Sequence, residues 1–201
     1  MSEDMGRRER KKLATRQALV DAAVELFAEH GFDETTVAQI AERADVSTRT
    51  FFLHFPTKED VLVGSSEERL EIGLRALAER VPGERPDDAL ARAMRLMIDD
   101  RRPGEFGLGR VRQQIARTAP SVQANIMRRR FEAERMLTAG LLRSFPDDLD
   151  DVDASAAVAA VMAATHAAAT TALRSGAGLD AVRAAMHRAV DIAILGTRRS
   201  G

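Results

Sequence analysis

Residues 46–62 read VSTRTFFLHFPTKEDVL, and three of the chain's eight phenylalanines, Phe51, Phe52 and Phe55, fall within five of these positions. Hydroxyls, Arg49, His54 and Lys58 surround them, so one short segment combines an apolar anchor with hydrogen-bond donors. Ser47 is placed to cap a helix running to Phe55, where Pro56 blocks continuation and Thr57 caps the next helix.

Upstream, TVAQIAERA carries Thr36 and Gln39 at capping-box spacing, which predicts a helix of about eight residues. Two short helices joined by the turn in AERADVST form a helix-turn-helix, which places its second helix in the major groove of DNA. Phe51 and Phe55 share one face and are expected to pack on Val37, Ile40 and Ala41 of the preceding helix and on Phe27 of the first. Thr48, Arg49, Phe52 and the edge of Thr50 then point away from the core. Arg49 can donate two hydrogen bonds to guanine, threonine suits a phosphate or a thymine methyl, and Lys58 is expected to meet a phosphate at a helix start. The candidate DNA-binding set is Arg7, Arg8, Thr36, Ser47, Thr48, Arg49, Thr50, Phe52, His54 and Lys58.

Bulk charge runs the other way. Residues 1–60 hold nine Lys or Arg against twelve Asp or Glu, whereas DNA-binding domains are often strongly basic. Distribution offsets this, because residues 5–16, MGRRERKKLATR, carry six basic residues and one acidic, while Asp21, Glu25 and Glu29 recur along one stripe of the first helix. The basic end is suited to follow the DNA backbone or enter the minor groove.

The rest of the 201-residue chain reads as helix. Alanine, leucine, arginine and glutamate dominate, glycine and proline are sparse, and an all-α protein of about nine helices is expected. The first should run from Arg7 to His30, ended by Gly31 in a left-handed cap, and the fourth from Thr57 to about Val81. A break at PGERP (82–86) precedes a helix opened by Asp87 and Asp88, and RRPGEFGLGR (101–110) is the least regular stretch. A short helix to Thr118, a long one from Ser121 to Arg143, an alanine-rich helix and a last helix after Gly176 and Gly178 complete the chain. The division expected is a DNA-binding head with its basic arm, residues 1–57, and a ligand-binding and dimerisation domain, residues 58–201, with the fourth helix carrying pocket occupancy to the head.

With no cysteine, disulfides and thiolate-metal sites are excluded and a cytoplasmic location is expected; the charged first thirty residues lack the apolar core of a signal peptide. Residues 154–173 carry no formal charge and are long enough to span a bilayer, but eleven are alanine and His166 and three threonines interrupt the apolar surface, so a buried helix and no membrane partner are expected. His30, His54, His166 and His187 lie far apart, with no HExxH motif and no phosphate-binding glycine loop. Neither enzymatic activity nor a cofactor or metal is expected. The competing class is a helical interaction module whose head has lost specific DNA binding.

Residues 35–62, TTVAQIAERADVSTRTFFLHFPTKEDVL, resemble the DNA-binding region of TetR-type bacterial transcriptional regulators, through the capped short helix, the pair Ile40–Ala41, Val46, the HF at 54–55 and the KED at 58–60. The resemblance implies a homodimer whose heads bind a palindromic operator and whose larger domain binds a small effector that releases it, most often as a repressor. Two departures stand out: Asp45 where many relatives carry glycine, and Phe52 where many carry tyrosine. RTFF at 49–52 looks like a subgroup associated with acyl-CoA or similar ligands.

For that effector the candidate contacts are Met94, Met97, Phe106, Arg110, Met127, Arg130, Phe131, Met162 and His166, adaptable apolar groups with cations for an anionic headgroup. For the dimer, Val158, Met162, Val182, Met186, Val190 and Ile194 on the last two helices are the expected interface of a four-helix bundle.

Overall fold

The computed structural model describes residues 2–62, 66–100, 109, 111, 112, 114–116 and 119–197. Nine helices are bounded among them: α1 Ser2–His30, α2 Val37–Arg43, α3 Thr48–His54, α4 Lys58–Val61, α5 Ser66–Ala78, α6 Pro86–Asp99, α7 Pro120–Ser144, α8 Asp151–Arg174 and α9 Leu179–Thr197. Helical residues also occur between 109 and 116, and no strand occurs among the described residues. The chain divides into two compact units, Met1–Gly64 with Pro103–Asn125, and Ser65–Arg102 with Ile126–Gly201.

In the first unit, α1 ends as its sequence requires. Gly31 sits at φ 83 and donates to Phe27 O at 3.1 Å, a left-handed cap that costs glycine no Cβ clash. Thr36 and Gln39 form the capping box of α2, with the Thr36 amide on Gln39 Oε1 at 2.8 Å and the Gln39 amide on Thr36 Oγ1 at 3.2 Å. Two crossed bonds end α2, Asp45 N to Glu42 O at 3.0 Å and Val46 N to Ala41 O at 2.9 Å. This pattern demands a left-handed residue, and Asp45 takes that place at φ 53. Ser47 then caps α3 by accepting from Thr50 N at 3.1 Å.

Burial of Phe51 and Phe55 with Leu19, Ile40 and Leu62 gives this unit its core, each large side chain contributing about 1.5–3 kcal/mol. The acidic stripe on α1 also has a structural use. Arg43 reaches from α2 to Glu25 at 3.0 Å and Glu29 at 3.1 Å, tying α2 to α1. The Arg43 guanidinium holds the Glu29 carboxyl below its ordinary range.

In the second unit α5 packs on α6, and α9 packs on both α6 and α8. Gly73 permits the first contact: a Cβ there would lie 2.4 Å from Met97 Sδ. Arg92 of α6 fastens the end of α5, donating to Ala76 O at 2.9 Å and Glu79 O at 3.2 Å, while Glu84 accepts from Arg92 Nη2 at 2.7 Å. Asp150 caps α8 by accepting from Asp153 N at 2.8 Å. By length and composition α8 is apolar enough to cross a membrane, and one of its faces is committed to α9.

Three expectations change. The helix drawn from Thr57 to Val81 is described as two pieces, α4 and α5, because α4 closes at Leu62, whose amide bonds Asp60 O and Glu59 O. Most of RRPGEFGLGR lies outside the described residues. Five of the six side chains expected at a dimer interface, Val158, Val182, Met186, Val190 and Ile194, are buried within the single chain, and Met162 is half-buried. Their spacing marks the face by which α8 and α9 join their own unit.

Candidate DNA-binding face

The face begins with what holds α3. The Phe51 and Phe55 rings pack tilted at 47° with centroids 5.8 Å apart, and the Phe52 ring meets Phe51 edge-on at 5.5 Å and 84°. Arg16 of α1 lies over the Phe55 ring at 4.2 Å and donates to His54 O at 2.7 Å, satisfying a carbonyl left over at the end of the helix. Only seven residues long, α3 is therefore held by burial of Phe51 and Phe55 against α2 and by Arg16 of α1 rather than by its own hydrogen bonds.

The opposite face is open. Ser47, Thr48 and Arg49 are exposed, Thr50 is half-buried, and Phe52 is 54% exposed. Leu53, absent from the candidate set, is 75% exposed. Alternation between core and surface around a short helix is the signal that marks it, because Leu53 lies midway in sequence between Phe51 and Phe55 and so on the far side of the helix. Thr36 is exposed at the start of α2, and Arg7 is exposed on α1; the side chain of Arg8 lies outside the described residues. His54 is half-buried beside the Arg16 contact.

Lys58 differs from the expectation. Its ammonium donates to Phe32 O at 2.7 Å and Thr35 O at 2.9 Å and lies 4.2 Å over the Phe32 ring. This side chain is turned inward, joining the start of α4 to the loop between α1 and α2. Asp60 behaves similarly: buried, it accepts from the Thr57 amide at 3.1 Å and from Asn125 Nδ2 at 3.3 Å. The capping-box spacing predicts the first contact, and nothing local in the sequence announces the second.

The described effector candidates occupy different environments. Met94 is buried, Met97 covers Gly73, Met162 and Arg130 are half-buried, and Met127, His166 and the 60%-exposed Phe131 lie at the surface. Phe106 and Arg110 lie outside the described residues. Two cavities in the second unit, of about 440 Å³ against Leu74, Gly140 and Arg143 and about 700 Å³ against Arg85, Asp87 and Asp153, are lined by none of these candidates.

A capped helix-turn-helix with an exposed second helix defines the class, a DNA-binding regulator built on an all-helical scaffold. Residues 19–63 match the family model described as bacterial regulatory proteins, tetR family. The HTH-type transcriptional regulator TcmR of Streptomyces glaucescens is 34% identical over 193 residues, spanning 92% of this chain and 85% of that protein. The fatty acid metabolism regulator protein of Bacillus subtilis (strain 168) is 40% identical over 52 residues, 26% of this chain and 27% of that protein. Among solved structures, the transcriptional regulator FadR from Bacillus subtilis in complex with stearoyl-CoA superposes with a TM-score of 0.54 at 22% identity, over 88% of this chain and 96% of that one. The chain belongs to the tetR family of bacterial regulatory proteins.

Proposed function

We propose that this protein is a ligand-responsive repressor that binds a palindromic operator as a homodimer in the cytoplasm and is released by a small apolar or acyl-type ligand. The observation that carries the DNA-binding part is the division of α3 into a buried face, Phe51 and Phe55, and an exposed face bearing Thr48, Arg49, Phe52 and Leu53. Residues 1–57 supply the head and residues 58–201 the effector site and dimer contacts. Exposed Ile192 (70%) and Leu195 (61%) on α9 suit the self-association that a palindrome requires. The acyl-type effector is supported by the likeness of the fold to a regulator seen with stearoyl-CoA and by RTFF at 49–52.

Variants at Arg49 and Arg7 test this assignment. Arg49→Ala should reduce discrimination between operator and scrambled duplex, whereas Arg7→Ala should weaken both alike and reduce the salt slope by about one. Fluorescence anisotropy on both duplexes across a salt series reads the two effects. Equal loss of affinity and discrimination in both variants would sink the assignment, and stearoyl-CoA should release the operator from the unmodified protein.

A further inference from the structure

The helix placed to read bases, α3, has the sequence TRTFFLH and contains no Asn, Gln, Asp or Glu. In the major groove, adenine is read by the paired donor and acceptor of an amide, and cytosine by a carboxylate. Neither group is present on α3. What the helix does offer is Arg49, suited to guanine, and four residues later Leu53, 75% exposed and about 180° round the helix from the midpoint of Phe51 and Phe55. Residues four apart share a face, so Arg49 and Leu53 together form the outermost ridge of α3. Single exposed leucines are ordinary on protein surfaces. Here the preceding residue, Phe52, is 54% exposed and braced edge-on against Phe51. Two large apolar groups on the open face of a seven-residue helix call for an apolar counterpart, and the one such group on a base edge is the 5-methyl of thymine.

We infer that Leu53 is a specificity-determining residue, reading A·T pairs through apolar contact with a thymine 5-methyl, with Phe52 walling the same contact. Four residues of helix advance about 6 Å. Stacked bases are about 3.4 Å apart along a strand, so the thymine falls within two base pairs of the guanine read by Arg49. This inference rests on the head being a DNA reader, and its test separates the two.

A duplex recovered from a random pool by binding to the purified protein is remade with each thymine in turn replaced by uracil, which removes the methyl and leaves base pairing intact. At one position in each half-site, uracil should weaken binding of the unmodified protein about three- to fivefold, the worth of one buried methyl group. Leu53→Ala, a change at an exposed helical position, should bind the thymine and uracil duplexes alike. Equal affinity of the unmodified protein for every uracil duplex overturns the inference while leaving the head a DNA reader. A uracil penalty that persists in Leu53→Ala assigns the methyl to another side chain and also overturns it. Failure to recover any enriched duplex removes the DNA-binding assignment and the inference with it.

Discussion

Lys58 lies within residues 19–63, which match the family model, yet its ammonium caps two carbonyls of the α1–α2 loop and covers Phe32. Lys58→Met should therefore lower unfolding stability by about 2 kcal/mol, because hydrogen bonds to a charged group are lost and two carbonyls lose their partner. Its salt slope for DNA should stay that of the unmodified protein; a slope reduced by about one with stability intact would return Lys58 to the phosphate contacts. Asp45 shows the same inward logic. At φ 53 it closes α2 at a cost an L-residue bears and glycine does not, so the departure from the family's usual glycine leaves the turn intact. Residue types on α3 were legible because their chemistry is local: a serine before a helix caps, and phenylalanines four apart anchor. The direction of Lys58 was not, because it depends on two carbonyls more than twenty residues upstream.

At the scale of elements, caps and breaks carried most of the information. Thr36, Ser47 and Thr57 each accept the amide their spacing predicts. What spacing leaves undetermined is which partner an apolar face meets. The stripe Val182, Met186, Val190 and Ile194 has the spacing of a seam between two chains, and α9 buries it within its own unit. The junction of α5 and α6 supplies a pH-dependent test. The Arg92 hydrogen bond holds the Glu84 carboxyl below its ordinary value, outweighing the effect of its burial. A folded-state value below the unfolded one means that the pair's stabilisation is complete above the ordinary carboxylate value of about 4.3 and is lost as pH falls through the depressed folded value. Glu84→Gln should accordingly lower the thermal midpoint near neutral pH, and the gap to the unmodified protein should close in acid. A gap unchanged across that range would remove the ion pair from the account of this junction.

For the whole molecule, the question is what α8 and α9 leave uncovered once their buried faces are committed. Ile192 and Leu195 remain exposed on α9, and Val152 on α8. Ile192→Glu combined with Leu195→Glu should convert a dimer to a folded monomer in sedimentation velocity and lower affinity for a palindrome far more than for a half-site. Val158→Glu, at a position buried in the chain, should destabilise the fold instead. A double variant that still sediments as a dimer would place the interface elsewhere. The effector candidates were the least legible part, for a physical reason: methionines and arginines at helical spacing serve core and surface as readily as a ligand, and the described ones divide among buried, half-buried and exposed positions.

Selection of duplexes from a random DNA pool with the purified protein, at two salt concentrations, tests the central claim most directly. The account predicts a palindromic consensus with a guanine and a nearby thymine in each half-site, bound more weakly at the higher salt. An unenriched pool at both concentrations would contradict it and leave a helical interaction module as the better description of the head.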